Sequence, residues 1–290
     1  MTTFTRSLIF GAASLLCANI GMAANFCPVL YTKGTLPLKF MPGFLHVDYY
    51  SDGDGLTISS FLNAAKNTNA GPPFIPFERD LVARIPGIEY VTASTFDPAK
   101  QVQALTDTNA AVAPKTVWPN EAERLPTGMV PFSALIVPQG FISAAKPGRL
   151  TIINLDSAAK TEYLVHQSTQ SSGSPTDPAN SPRAYHQALF IDMDGDGLKD
   201  IVTVRSGFRV GAIVYPPYGE LVYFKNPGKA ILPNVAWKET ILWGGPTAGF
   251  LGPDIALAAA DLDKNGVPEI IATHFFSNAS AGGPPTGGKI

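Results

Sequence analysis

The sequence predicts an all-β fold of many short strands joined by turns. Three observations carry this. Gly and Pro number 27 and 26 in 290 residues, a density of breakers that suits short strands and argues against a helical bundle. Helix signals are nearly absent. Short β-branched apolar runs follow turn-forming loops, as in Ile201-Val202-Thr203-Val204 and Ile270-Ile271-Ala272-Thr273, and such runs read as buried strands.

In chain order, the first segment is a targeting sequence. Arg6 supplies positive charge, and Leu8 to Ile20 is apolar but too short for a comfortable membrane span. Gly21-Met22-Ala23 offers small residues for cleavage after Ala23, with Ala24 as the alternative, so residues 1–23 read as a signal peptide and 24–290 as the folded domain. The expected location is secreted, or periplasmic in a Gram-negative source. Cys17 would leave with the signal and strand Cys27. A lone exported cysteine is compatible with burial, with a bridge between chains, or with a partner missing from the chain.

Phe40 to Asp48 opens the domain, and Ser51-Asp52-Gly53-Asp54-Gly55 leads into Leu56 to Phe61. Strands are expected at Asp80–Ile85, Pro131–Val137 and Gly148–Asn154, and one leading into a loop within Gln101–Lys115. Trp118 to Glu123 is broken by Pro and acids, and Gln167 to Pro182 reads as an exposed connection. Tyr185–Ile191, Gly219–Pro227 and Gly252–Ala260 complete the expected strands.

The chemistry concentrates in Asp192-Met193-Asp194-Gly195-Asp196-Gly197-Leu198-Lys199-Asp200. Aspartates at alternate positions let their carboxylates converge, and Gly197 permits a sharp turn. Hard oxygen donors in this number suit Ca²⁺ better than Zn²⁺ or a redox metal. An EF-hand would need Glu at position twelve, which is Thr203, and flanking helices. The expected ligands are the side chains of Asp192, Asp194, Asp196 and Asp200 with the Leu198 carbonyl. A second copy, Asp261-Leu262-Asp263-Lys264-Asn265-Gly266-Val267-Pro268-Glu269, lies 69 residues downstream. Its expected ligands are Asp261, Asp263, Asn265 and Glu269 with the Val267 carbonyl, and its lower negative charge predicts weaker binding. Aligned on Gly55, the Asp52/Asp54 stretch keeps acids at positions three and five but has Tyr50 and Ile58 at one and nine, so it reads as a Gly-rich turn. The 27-residue step from Asp192 to Gly219 recurs from Asp261 to Gly288, the mark of a repeat.

These loops, and the strand Gly219-Glu220-Leu221-Val222-Tyr223-Phe224-Lys225-Asn226-Pro227, resemble the FG-GAP/VCBS repeats of integrin-α-like β-propellers and many secreted proteins. The clear resemblance covers Tyr185 to Ile290. It implies four-stranded blades with structural calcium loops between two strands of a blade, and a binding role toward an extracellular protein or glycan. Gly148-Arg149-Leu150 matches Gly219-Glu220-Leu221 in character, as an equivalent strand of an earlier blade without a metal loop. By this register the chain ends inside a blade, which reads as part of a longer protein with about four to five blades present.

A net charge of −2 gives no electrostatic support for nucleic acid, and no stretch after the signal is apolar enough for a membrane span. His46, His166, His186 and His274 are scattered without a catalytic pattern and read as strand residues. Tyr185, Tyr215, Tyr218, Trp118 and Trp243 suit blade packing or, alternatively, a carbohydrate-binding face. An extracellular carbohydrate-active lyase or hydrolase is the alternative to the binding module, and would require acids, a His or a Tyr converging outside the calcium loops. Asn278-Ala279-Ser280 is a glycosylation sequon, relevant in a eukaryotic source.

Overall fold

The computed structural model describes residues 43–48, 55–60, 81–91, 94–106, 119–140, 148–168, 183–207, 218–228, 237–244 and 255–273. Within them, fourteen strands form four antiparallel sheets. Sheet 1 holds β1 (Phe44–Asp48), β2 (Gly55–Ser60), β3 (Leu81–Pro86) and β4 (Gln103–Ala104). Sheet 2 holds β5 (Glu123–Arg124), β6 (Ala134–Pro138), β7 (Arg149–Asn154) and β8 (Glu162–Gln167). Sheet 3 holds β9 (Arg183–Ile191), β10 (Asp200–Gly207), β11 (Tyr218–Lys225) and β12 (Lys238–Gly244). Sheet 4 is the pair β13 (Leu257–Ala260) and β14 (Glu269–Ala272). Each four-stranded sheet is a meander in which sequence neighbours pair. Among the described residues the helical content is a 3-10 turn at Ile88–Tyr90 and the one-turn helix α1 (Pro98–Gln101), capped by Asp97, whose side chain accepts from the Ala99 N–H at 3.0 Å.

The apolar runs of the sequence are explained by burial on both faces. Side chains alternate across a strand, and here both sets enter a core. Leu135 and Val137 of β6 pack with Val82 of sheet 1, while Ile136 packs with Tyr185, Ile201, Val222 and Phe224 of sheet 3. In turn, Val202, Val204 and Leu221 of sheet 3 pack with Leu257 of sheet 4. The sheets therefore stack in chain order, each intermediate sheet serving two cores. Each such buried aliphatic side chain contributes roughly 1.5–3 kcal/mol. The first strands also meet, β1 against β5 and β9 against β13. Asn120, fully buried, links three sheets: its N–H donates to Pro138 O at 2.8 Å, its O accepts from the Ser59 hydroxyl, and its side-chain amide donates to Tyr185 O.

Several expectations shift. Of Gln101–Lys115, the described residues to 106 hold the two-residue β4, following α1, and the rest lie outside the described residues. The Trp118–Glu123 stretch runs into the short β5. Strands β8 and β12 carry no signal strong enough to place them in advance. Gly148-Arg149-Leu150 does precede and begin the third strand of its sheet, as Gly219-Glu220-Leu221 lies in the third strand of sheet 3. The signal segment, Cys27, Trp118, Tyr215, Asp52, Asp54, His274, the sequon, the connection 169–182 and the chain end lie outside the described residues.

Candidate functional site

The two acidic loops occupy the same place in their sheets. Asp192–Lys199 joins β9 to β10, closing on the pair Ile191↔Asp200. The loop from Asp261 joins β13 to β14, closing on Ala260↔Glu269. Before Gly55 the flanking strands pair at Asp48↔Gly55, with Ile58 in mid-strand, and the residues between, Asp52 and Asp54 among them, lie outside the described residues.

Three loop hydrogen bonds recur, while the first aspartate's Oδ1 differs, accepting from the Gly195 N–H at 2.8 Å in one loop and from the Asn265 N–H, one position later, at 3.0 Å in the other. The first aspartate accepts from the sixth-position glycine: Gly197 N–H to Asp192 Oδ2 at 2.9 Å, and Gly266 N–H to Asp261 Oδ2 at 2.9 Å. The fifth residue accepts from the seventh: Leu198 N–H to Asp196 Oδ1 at 2.9 Å, and Val267 N–H to Asn265 Oδ1 at 2.7 Å. The ninth accepts from the second: Met193 N–H to Asp200 Oδ2 at 2.9 Å, and Leu262 N–H to Glu269 Oε2 at 2.6 Å. Backbone φ at position six is +85° in Gly197 and +89° in Gly266, which favours glycine. At position four Gly195 has φ +76° and Lys264 +62°, so the second loop places a side-chained residue where the first uses glycine.

Both loops gather carboxylates. Asp192, Asp194 and Asp200 each bring an oxygen within 4.8 Å of the others, as do Asp261, Asp263 and Glu269. A cation with metal–oxygen distances near ~2.4 Å spans that separation. These all-oxygen donor sets could hold a hard metal ion. Asp196 lies outside the first triplet. Asp196 instead shares the Lys225 ammonium with Asp194, at 3.0 Å from Asp196. Its carboxyl is held below the usual range, chiefly by the Leu198 N–H and then by Lys225. Asn265 donates its amide to Asp263 Oδ2 at 3.0 Å. Leu198 and Val267 sit exposed in the loops.

The anchor of the first loop is a pair of residues whose role the sequence does not declare. Lys225 ends β11, and hydrogen bonds to Asp194 and then Asp196 push its pKa upward. A lysine ammonium thus sits where two carboxylates invite positive charge. Asn226, 2% exposed, donates its N–H to Asp200 Oδ1 at 2.7 Å and its side-chain amide to Lys199 O at 2.9 Å. Met193 packs against the core shared by sheets 3 and 4. The signal was present in Lys225-Asn226, at the end of the strand segment that carried the family resemblance.

A second polar cluster lies between sheets 2 and 3. Arg205, 1% exposed, donates from Nε to Glu220 at 2.6 Å and through both Nη atoms to Glu239 at 3.0 and 2.8 Å. Arg205 Nη1 also donates to the Tyr185 hydroxyl at 3.1 Å. That hydroxyl lies 2.6 Å from His166 Nδ1, and His166 Nε2 lies 2.9 Å from Glu239. Burial pushes Tyr185 up to about 12. Burial would raise Glu239, but hydrogen bonds from His166 and Arg205 outweigh it and bring the carboxyl down to about 2. Tyr185 is fully buried, so it packs the core and does not belong to a carbohydrate-binding face. Trp243 on β12 is exposed. His186 is buried beside Ser206, Nε2 to Oγ 3.1 Å, and burial lowers its pKa to about 4.

Among the described residues no helix is long and apolar enough to cross a membrane. Comparison of the chain with protein-family models, curated proteins and solved structures finds no match.

Proposed function

We propose that this protein is a secreted β-propeller of FG-GAP/VCBS-like blades, stabilised by Ca²⁺, that serves as a binding module for an extracellular protein or glycan. The carrying observation is that three hydrogen bonds of the Asp192–Asp200 loop recur at the same positions in Asp261–Glu269, each loop linking the first two strands of a sheet. Repeated four-stranded meanders that stack in chain order, with β1 against β5, β6 against β9 and β9 against β13, support the blade reading. Asp192, Asp194 and Asp200 would hold one ion and Asp261, Asp263 and Glu269 another, with Asp196, Asn265 and the Leu198 and Val267 carbonyls completing the shells. The ions would fix loop geometry at sheet ends and leave recognition to the remaining surface.

The lyase or hydrolase alternative receives less support. The His166–Tyr185–Glu239 cluster does lie outside the loops, but its polar atoms are spent on one another and on Arg205, which suits a tie between sheets.

Thermal unfolding of residues 24–290 in EDTA and in millimolar Ca²⁺ tests the proposal. At a hundredfold excess over Kd, each occupied site stabilises by about 2.7 kcal/mol, or roughly 5–10 °C at about 2–4 °C per kcal/mol. Asp194→Ala and Asp263→Ala should each remove part of the rise. Identical melting in both conditions would sink the calcium reading.

A further inference from the structure

We propose that Lys225 regulates the first loop as a tethered cation: its ammonium holds Asp194 and Asp196 when no ion is bound and is displaced when calcium enters. This rests on the calcium reading of the Asp192–Asp200 loop. It adds a residue from outside the loop that sets how readily the ion is taken up, and a lysine that is freed when it is.

The strand, and not the loop, places this lysine. The β10–β11 ladder reaches Ile201↔Phe224 at the loop end, and Lys225 follows as the last residue of β11. The next residue pins the backbone there. Asn226 donates its N–H to Asp200 Oδ1 at 2.7 Å and its amide to Lys199 O at 2.9 Å, and its own Oδ1 accepts from the Gly228 N–H at 2.9 Å. Lys225 therefore starts from a fixed point beside the loop, and its ammonium bonds Asp194 and lies 3.0 Å from Asp196. Across the sheet Lys225 pairs with Lys238 of β12. Like charges directly opposite repel, which further favours the side of the carboxylates.

Two features make the ammonium a competitor of the ion and not a permanent tie. Asp194 belongs to both arrangements, since its carboxylate is also one of the three that gather within 4.8 Å. A divalent ion among Asp192, Asp194 and Asp200 would repel an ammonium bonded to the same carboxylate. The ion pairs are also open to water, with 39% of the Lys225 side chain and 32% and 34% of those of Asp194 and Asp196 exposed. Exposed ion pairs contribute little, so the lysine hinders an ion and does not exclude it. Among the described residues the second loop has a neutral group in the corresponding role: Asp263 Oδ2 accepts from the Asn265 amide at 3.0 Å. Uptake of calcium by the first loop therefore exchanges one cation for another, and uptake by the second does not.

Calcium binding is followed by calorimetry in an Asp263→Ala background, which leaves the first loop as the ion site. Lys225→Met and Lys225→Gln should each tighten binding there about fivefold, as expected for loss of an exposed competing cation. Lys225→Arg, which keeps the charge, should stay near the parent. In an Asp194→Ala background, which retains the second loop, Lys225→Met should leave binding unchanged. Release of the lysine is read independently by acetylation. N-hydroxysuccinimide acetate transfers its acetyl group to a free amine, releasing N-hydroxysuccinimide and a proton, and peptide mass spectrometry locates the product. Labelling of Lys225 should rise several-fold from EDTA to millimolar Ca²⁺, with the exposed Lys100 of α1 unchanged as the internal reference. Calcium binding that is unchanged or weaker in both Lys225→Met and Lys225→Gln, or Lys225 labelling that is equal in EDTA and Ca²⁺, would overturn the proposal and leave the calcium reading standing. If no ion binds the first loop even in Lys225→Met, the calcium reading of that loop falls and this proposal with it.

Discussion

The two acidic loops share a hydrogen-bond skeleton and differ in what holds them. In the first, Asp200 is fully buried and accepts from Met193 and from Asn226, 26 residues away. In the second, Glu269 is half-buried and accepts from Leu262, which is 64% exposed where the first loop packs Met193 into a core. The loop shape is thus local, set by Asx hydrogen bonds and a sixth-position glycine. Rigidity is borrowed from the third strand. Sheet 4 is described only as a pair of strands, and no counterpart of Lys225 or Asn226 stands among its described residues.

The largest effect should separate the loops most clearly. Asp200→Ala orphans two backbone donors, at about 1–3 kcal/mol each when buried, so a loss of roughly 3 kcal/mol is expected in denaturant unfolding. Glu269→Ala exposes its donor to water and should cost about 1 kcal/mol or less. Equal losses would show that burial of the ninth residue does not distinguish the loops.

Acid should act on the sheet beneath the first loop. His186 stays neutral in the fold down to about 4, against about 6.5 when unfolded. Its contribution is complete above pH 6.5, falls as the unfolded chain takes up the proton, and is lost once pH passes 4. That amounts to about 3 kcal/mol across the window. The slope between pH 6.5 and 4 should flatten in His186→Leu, read as unfolding midpoints at half-unit pH steps in EDTA.

Much of this was legible in advance, for physical reasons that also set the limit. The Asp and Gly positions of the loops are local constraints, and the strands they join have apolar runs that need burial. Strand β12 is an edge strand with Ile241, Leu242 and Trp243 exposed, and edges need no inward pattern. Strand β8 buries Val165 but leaves Leu164 42% exposed, so its alternation is weak. The Arg205 cluster joins residues from five strands of two sheets. Its one visible hint was Arg205 and Glu220 at mid-strand in apolar runs, and they prove to be directly opposed.

Smaller changes sharpen the contrast. Lys225→Met removes the ammonium shared by Asp194 and Asp196. The calcium-free protein should melt lower while the calcium-loaded one changes little, widening the gap between EDTA and Ca²⁺. A narrowed gap would mean that Lys225 supports the ion-bound loop instead. Lys264→Gly relieves a positive φ costing about 1–2 kcal/mol, less the backbone entropy of glycine at about 0.5–1 kcal/mol. A gain of roughly 0.5 kcal/mol is expected in EDTA, confined to the second loop, with no gain if its backbone already relaxes freely.

The most direct test of the central claim is calcium stoichiometry. Equilibrium dialysis of the metal-free chain against Ca²⁺ should give two ions per molecule, the tighter one lost in Asp194→Ala and the weaker one in Asp263→Ala. Less than one ion bound at millimolar Ca²⁺, or two ions retained in both variants, would contradict the assignment of these loops as the metal centres.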